Sequence, residues 1–301
     1  MKFSGSRTLT TPLYELVKPP QRVGIIGKER DPAPEIASDI AAWMRERGVE
    51  VVIDRELAER AGLPDGVTRN KIPSQVDLVF VLGGDGTLLG IARLVGSRQT
   101  PVLGINLGSL GFLTEVAVDE LYAALEAVLN GEVQIESRMM LTAHVHRREE
   151  RIAEYHVLND VVINKGALAR IIELDASVDE QKLTHYRADG LIVASPTGST
   201  AYNLSAGGPI IHPVMECMVL TPICPFTLSN RSMVLPPTAD LKMTLTSESG
   251  DCFLTLDGQV GFGLQQGDRI EVRRADFDFQ LVRSLTRSYY EIARTKLNWG
   301  A

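Results

Sequence analysis

The sequence predicts an α/β domain built on a parallel sheet, joined to a second domain that is mostly β. Two patterns carry that reading. Between residues 22 and 131, strand-like apolar runs alternate with segments of helical periodicity, and strands that alternate with helices pair in parallel through right-handed crossovers. After about residue 137 the stretches become short, alternating or β-branched, with glycine and polar turns between them, as in a mostly β domain. A chain of 301 residues suits about two domains. The expected division is 1–137 and 138–283, with the segment 284–301, helix-like over 284–297, packing back on the first domain.

The first strand is expected over 22–27. Ile36, Ala37, Ile40, Ala41 and Met44 then recur on one helical face, so 34–47 reads as a helix that Gly48 ends. Strands follow at 49–53, 76–82 and 101–106, and helices at 87–95 and 121–129, the last closed by Asn130-Gly131. In the second half the strand-like stretches are 141–147, 155–164, 170–178, 190–195, 233–234, 241–247, 252–256 and 269–274, with one short helix over 200–206.

Composition narrows the function. Hydrophobic residues make up 44% and charged residues 23%, ordinary globular material. A formal net charge of −7 argues against a general nucleic-acid or anionic-membrane surface. Any phosphate must then be held by local dipoles, a few arginines or a metal. Apolar runs such as 76–82 are too short to cross a bilayer. Residues 1–22 carry Lys2, Arg7, Lys18 and Arg22 without an apolar core segment, unlike a secretory leader. Cys217, Cys224 and Cys252 are odd in number and lack CxxC spacing, so they read as reduced core thiols of a cytoplasmic protein.

The most informative run is Val79–Leu89. A buried strand delivers Gly83-Gly84-Asp85-Gly86-Thr87, and a helix pattern follows at once. Glycines let the backbone approach a phosphate and present bare N–H groups to it, and a helix start adds a positive dipole end. A carboxylate amid such a surface reads as chemistry, or else as the N-cap of a tight strand-to-helix turn. Gly108-Ser109-Leu110-Gly111 falls at a second strand end, where ligands of parallel sheets sit. Neither run has dinucleotide-binding GxGxxG spacing.

Three constellations stand out in the second half. Asn159-Asp160 sets an amide beside a carboxylate at a strand edge, suited to a ribose diol or an adenine edge, or simply to a turn. The segment 186–209 runs from a strand into a loop rich in Gly, Ser and Thr that opens a helix, again an anion-friendly geometry. Asp257-Gly258-Gln259 by itself is a hairpin turn. There is no His/Cys metal cluster in the pattern. His144 and His146 share one face of a strand and, with Arg147 and Arg148 beside them, read as a solvated edge.

Taken together, these residues resemble the NAD kinase family. Its GGDGT, its paired Asn-Glu or Asn-Asp, its long ADG…PTGSTAY…S.GGP segment and its late DGQ occur here in order, as Gly83–Thr87, Asn159-Asp160, Ala188–Pro209 and Asp257–Gln259. The likeness spans roughly residues 22–290. GGDGT alone is shared with lipid kinases and phosphofructokinases; the central segment with DGQ is more specific. Asp160 stands where many members have Glu. Phe226, in Pro225-Phe226-Thr227-Leu228, stands where members often have His; its ring cannot make a histidine's hydrogen bonds, so it is given no site role.

The resemblance implies an α/β domain and a β-rich domain with the site between them, and transfer of the γ-phosphoryl of ATP to the 2′-hydroxyl of the adenosine ribose of NAD, giving NADP. By that implication Asp85 is the base. Gly83, Gly84, Gly86 and Thr87 form the phosphate-facing loop. Asn159 and Asp160 hold NAD, and Arg170, Arg187 and Asp189 flank it. Thr200, Ala201, Tyr202 and Ser205 contact it, as do Gln259 and Asp85-Gly86. Phe112 is the aromatic expected near the adenine, or a core residue, and Asn106 lines the same pocket or shapes a turn. A divalent cation, Mg²⁺ first, accompanies ATP. The resemblance also implies a homo-oligomer, dimer or tetramer, while the net charge and the short apolar runs argue against a nucleic-acid or membrane partner. Phosphoryl transfer suits such a site, since it depends on positioning and charge neutralisation more than on a strong nucleophile. A GGDGT-type lipid kinase and a non-catalytic dinucleotide sensor are the alternatives. The polar 197–205 stretch disfavours the first and an intact Asp85 the second.

Overall fold

The computed structural model describes residues 14–15, 19–166, 171–227, 229–247, 252–284 and 286–300. The chain divides into two compact units, one of residues 1–85, 100–137 and 280–301, the other of 86–99 and 138–279. Among the described residues no helix is long and apolar enough to cross a membrane.

In the first unit, strands β1 (Arg22–Gly27), β2 (Glu50–Ile53), β3 (Leu78–Gly83) and β4 (Val102–Asn106) form a parallel sheet in the order β2-β1-β3-β4. Helices α1 (Ala33–Glu46), α2 (Arg55–Ala61) and α4 (Leu121–Asn130) supply the crossovers and flanks. Every residue of β3 and β4 is buried, as a sheet covered on both faces requires. Gly131, in the left-handed region at φ 71°, ends α4. Helix α2 did not show in the sequence: its seven residues bury only Leu57 and Ala58, too short a stripe to reveal a period. Register places Gly83 opposite Asn106 and Leu82 opposite Gly27, so the carboxyl ends of β1, β3 and β4 finish together.

The first unit reclaims the chain's last stretch. Leu281 and Val282 pair in parallel with Val102 and Leu103. The next residue, Arg283, is buried; its Nε lies 2.7 Å from Glu115 and its Nη1 2.6 Å from Glu136. Helix α6 (Tyr289–Leu297) follows, with Ser288 and Glu291 forming a capping box.

The second unit is antiparallel. One sheet holds β9 (Gln181–Ala188), β8 (Ile172–Val178), β13 (Leu241–Leu245), β16 (Arg269–Val282), β5 (Gln134–Arg147) and β6 (Glu150–Val157). The other runs β12 (Met233–Leu235), β11 (Met218–Ile223), β10 (Gly190–Ala194), β7 (Asp160–Lys165), β14 (Cys252–Leu256) and β15 (Val260–Leu264). Alternate residues of both sheets, among them Leu141, Leu174, Val161, Leu191, Leu220 and Leu254, make one shared core. The expected strand 155–164 is two strands, β6 and β7, broken at Leu158-Asn159. Cys217 and Cys252 are buried, but Cys224 is exposed and not a core thiol; it turns at φ 45° at the end of β11.

Candidate active site

The glycine run is tighter than the sequence suggests. Strand β3 includes Gly83, and helix α3 (Asp85–Val95) already starts at Asp85. The linking loop is Gly84 alone, and Thr87 belongs to the helix. An N-cap carboxylate would turn back on its own helix; that of Asp85 reaches across to the segment after β4. Its Oδ1 accepts from the N–H of Leu113 at 3.0 Å, the N–H of Thr114 at 3.0 Å and the hydroxyl of Thr114 at 3.1 Å. Its Oδ2 accepts from the N–H of Phe112 at 2.8 Å. Oδ1 is therefore saturated, while Oδ2 keeps a free lone pair. Phe112 serves this carboxylate through its backbone; its ring is half-buried.

Asn106 holds the same loop from below. Its amide donates to the carbonyl of Ser109 at 2.7 Å and to the Thr114 hydroxyl at 3.0 Å, and its oxygen accepts from the Gly108 N–H at 2.7 Å. The side chain is thus engaged in shaping the turn.

At the carboxyl ends of β1, β3 and β4 opens a cavity of about 510 Å³, lined by Lys28, Arg30, Asp31, Gly84, Asn106, Gly108 and Ser109 among others. Lys28 and Arg30 belong to no motif of the sequence. A cationic pair directly after the first parallel strand was the available signal.

In the second unit the organising group is Asp257, fully buried and read from sequence only as a turn. Its Oδ1 accepts from the N–H of Asn159 at 2.7 Å and of Asp160 at 3.3 Å, and its Oδ2 from the N–H of Leu158 at 3.2 Å. The Asp257 N–H returns a bond to the Asp160 carbonyl at 3.0 Å. Asp257 thereby fixes the turn that carries Asn159 and Asp160. Burial, together with the neighbouring Asp257 carboxylate, pushes the Asp160 carboxyl up to about 7. Burial also raises that of Asp257, against three backbone bonds and Arg93.

Arg93 is a further residue that no sequence motif marks. Its Nη1 lies 3.3 Å from Asp257 and its Nη2 donates to Gln259 Oε1 at 2.7 Å. The Gln259 amide in turn donates to the carbonyl of Gly86, the residue after Asp85. A lone charge in the apolar run Leu88–Val95 was its signal.

The hydroxyl-rich segment is built around buried polar groups. Ser195 Oγ accepts from the Gly198 N–H at 3.2 Å, and a Cβ on Gly198 would come within 2.1 Å of the Asn159 carbonyl, so the segment presses directly on that turn. Asn203 is buried, bonded to Ser199, Pro209 and Thr221. Tyr202 and Ser205 are exposed, and Thr200 and Ala201 half-buried. The expected helix is only one turn, α5 (Tyr202–Ser205), too short for the dipole argument. Arg187 is exposed, 3.1 Å from Glu173, with its guanidinium 5.1 Å from the Phe226 ring centre. Asp189 lies 3.1 Å from Lys165. Arg170 lies outside the described residues.

Comparisons with known proteins bear on this arrangement. The family description "ATP-NAD kinase N-terminal domain" matches residues 23–133, and "ATP-NAD kinase C-terminal domain" matches 158–284. The chain is 52% identical over 281 residues to the NAD kinase of Geobacter sulfurreducens and 51% identical over 281 residues to that of Geotalea daltonii. Each alignment covers 93% of this chain and 99% of the relative. The structure is similar to that of yeast NADH kinase complexed with NADH, with a TM-score of 0.87 and 28% identity over 95% of this chain and 89% of that one. It also shares its fold with an NAD kinase from Archaeoglobus fulgidus in complex with ATP, with a TM-score of 0.74 and 22% identity over 91% and 98% of the two chains.

Proposed function

The chain belongs to the NAD kinase family, and on that footing we propose how its residues divide the reaction. The enzyme transfers the γ-phosphoryl of ATP to the 2′-hydroxyl of the adenosine ribose of NAD, giving NADP. Relatives at about half identity carry this name, and neither the lipid-kinase nor the sensor reading has an observation in its favour.

The observation that carries the assignment of roles is the Asp85 carboxylate, with Oδ1 saturated and Oδ2 open. In this reading Oδ2 orients the 2′-hydroxyl and accepts its proton as the phosphoryl group arrives, a contribution of roughly 10²–10⁴ in rate. Asn159 and Asp160, held by Asp257, bind the adenosine part of NAD, with Gly86, Thr200, Ala201, Tyr202, Ser205 and Gln259 adding contacts. Arg170, Arg187 and Asp189 flank the dinucleotide, and the ring of Phe112 sits by the adenine. Gly83 at the strand end, Gly84 in the link and Gly86 and Thr87 in the first turn of α3 face the phosphates.

Lys28 and Arg30 receive the triphosphate in the cavity beside Gly84. Asp31 and Ser109 are among the residues lining that cavity, and a carboxylate and a hydroxyl are hard oxygen donors of the class that Mg²⁺ takes when phosphates fill its other positions. Those two residues would hold the cation, which would neutralise charge on the donor phosphates. The cytoplasm and a homo-oligomer, dimer or tetramer, complete the proposal; light scattering on the purified chain measures the latter.

The test is to incubate the purified chain with ATP, Mg²⁺ and NAD and to measure NADP with an NADP-specific dehydrogenase. Steady NADP formation is expected. Intact NAD binding without NADP formation would return the sensor reading.

A further inference from the structure

Away from these residues, the second unit holds a group of side chains that the reaction does not use. His144 and His146 lie two residues apart on β5, and Glu271 lies on β16, the strand beside it. One ligand atom from each falls within 4.8 Å of the other two. His146 Nε2 is 3.3 Å from Glu271 Oε2. The expected solvated edge is not there, because β5 has β16 on one side and β6 on the other. His144 is only 5% exposed.

We propose that His144, His146 and Glu271 form a binding site for a divalent transition metal of the zinc class. Three features carry it. Both ring nitrogens of His146 are shielded from solvent; Nδ1 has no hydrogen bond and Nε2 has the 3.3 Å contact to Glu271 without hydrogen-bond geometry, and a buried polar group left so costs stability unless something fills its lone pair. Strand alternation puts both imidazoles on one face, and two imidazoles with one carboxylate are the ligand set of a three-protein-ligand zinc site with an open fourth position. The outer contacts suit such a site too. His144 Nε2 lies 3.2 Å from Glu154 Oε2, and Arg269 Nε donates to Glu271 Oε1 at 3.1 Å. Partners of this kind orient metal ligands.

Three guanidiniums oppose the cation: Arg269 bonded to Glu271, Arg151 sharing Glu154 with His144, and Arg273 most directly. The Arg273 guanidinium donates to His144 Nδ1 at 3.2 Å, the nitrogen left for a metal when Nε2 faces Glu154. Metal binding must displace that bond, so Arg273 competes with the metal and weakens it. A simple cluster of ion pairs has no such competition to relieve.

The experiment is a titration of the full-length, nucleotide-free chain with Zn²⁺ by calorimetry, and with Co²⁺ by visible absorption. The wild type, His146→Asn, Glu271→Gln and Arg273→Met are compared, with NADP formation as the check on folding. One equivalent should bind, with the intense visible bands of tetrahedral Co²⁺. His146→Asn and Glu271→Gln should each weaken binding at least about 10-fold, and Arg273→Met should tighten it. Should His146→Asn fail to fold, Glu271→Gln carries the test alone. Titrations of wild type and variant that superimpose, including no binding in either at millimolar metal, overturn the proposal.

Discussion

Gly111 lies so close to Asp85 that a Cβ at residue 111 would stand 2.0 Å from the carboxylate Oδ1 and 2.5 Å from the Thr114 hydroxyl. No side chain fits there while Asp85 keeps its four donors. The second glycine run is thus a cradle for the carboxylate of the first, which gives Gly108–Gly111 a role beyond turn geometry.

Gly111→Ala should therefore displace Asp85. Overpacking of this kind costs about 1–3 kcal/mol of stability, and a shift of about 1 Å at a catalytic group costs on the order of 10² in rate. The expected outcome is a folded protein with kcat strongly reduced and the dissociation constant for NAD nearly unchanged, read by steady-state kinetics and calorimetry.

Asp160 makes stability depend on pH. Its carboxyl is raised from 3.8 to about 7 in the folded chain, so between those values the folded state holds a proton that the unfolded state has released. Stability should accordingly fall as pH rises through this window and level off above it. The raised Asp257 carboxyl adds to the slope in the same direction. Thermal unfolding followed from pH 5 to 8 should show a flatter profile in Asp160→Asn than in the wild type.

Lys28→Met tests the donor cavity. Removing one cation from the proposed triphosphate site should raise KM for ATP about 10-fold and leave KM for NAD unchanged, a loss of roughly 1.4 kcal/mol. Equal changes in both constants would remove Lys28 from the donor's side.

Arg283 anchors the end of the chain to the first unit. Arg283→Met leaves Glu115 and Glu136 buried without their shared cation, and breaking one partner of a buried ion pair costs about 3–5 kcal/mol. A large drop in melting temperature is expected, and Glu115→Gln combined with Arg283→Met should recover part of it.

Much of this was legible in the sequence because it rests on backbone demands. The parallel strands announced themselves by unbroken apolar runs such as Val79–Leu82, and Gly48 and Gly131 ended their helices as expected. The matched motifs also pointed to the family. What stayed hidden was the second partner of each contact. Asp257 reads as a hairpin turn in one dimension, and only the pairing of Val161 with Leu256 brings it under the Asn159 turn. Arg93 and Gln259 are 166 residues apart. The helix expected over 200–206 is split into a 3₁₀ turn, Thr197–Thr200, and the single turn α5, with buried Ser199 and Asn203 bonded to the carbonyls of Pro196 and Ser199.

The proposed mechanism turns on Asp85 Oδ2 taking the proton of the ribose hydroxyl. Asp85→Asn tests it most directly, since an amide oxygen at the Oδ1 position keeps three of the four bonds and loses the base. The measurement is NADP formation beside calorimetric NAD binding for wild type and variant. Binding within a few-fold of wild type is expected, with turnover lowered by at least about 10². Unimpaired turnover in the variant would contradict it.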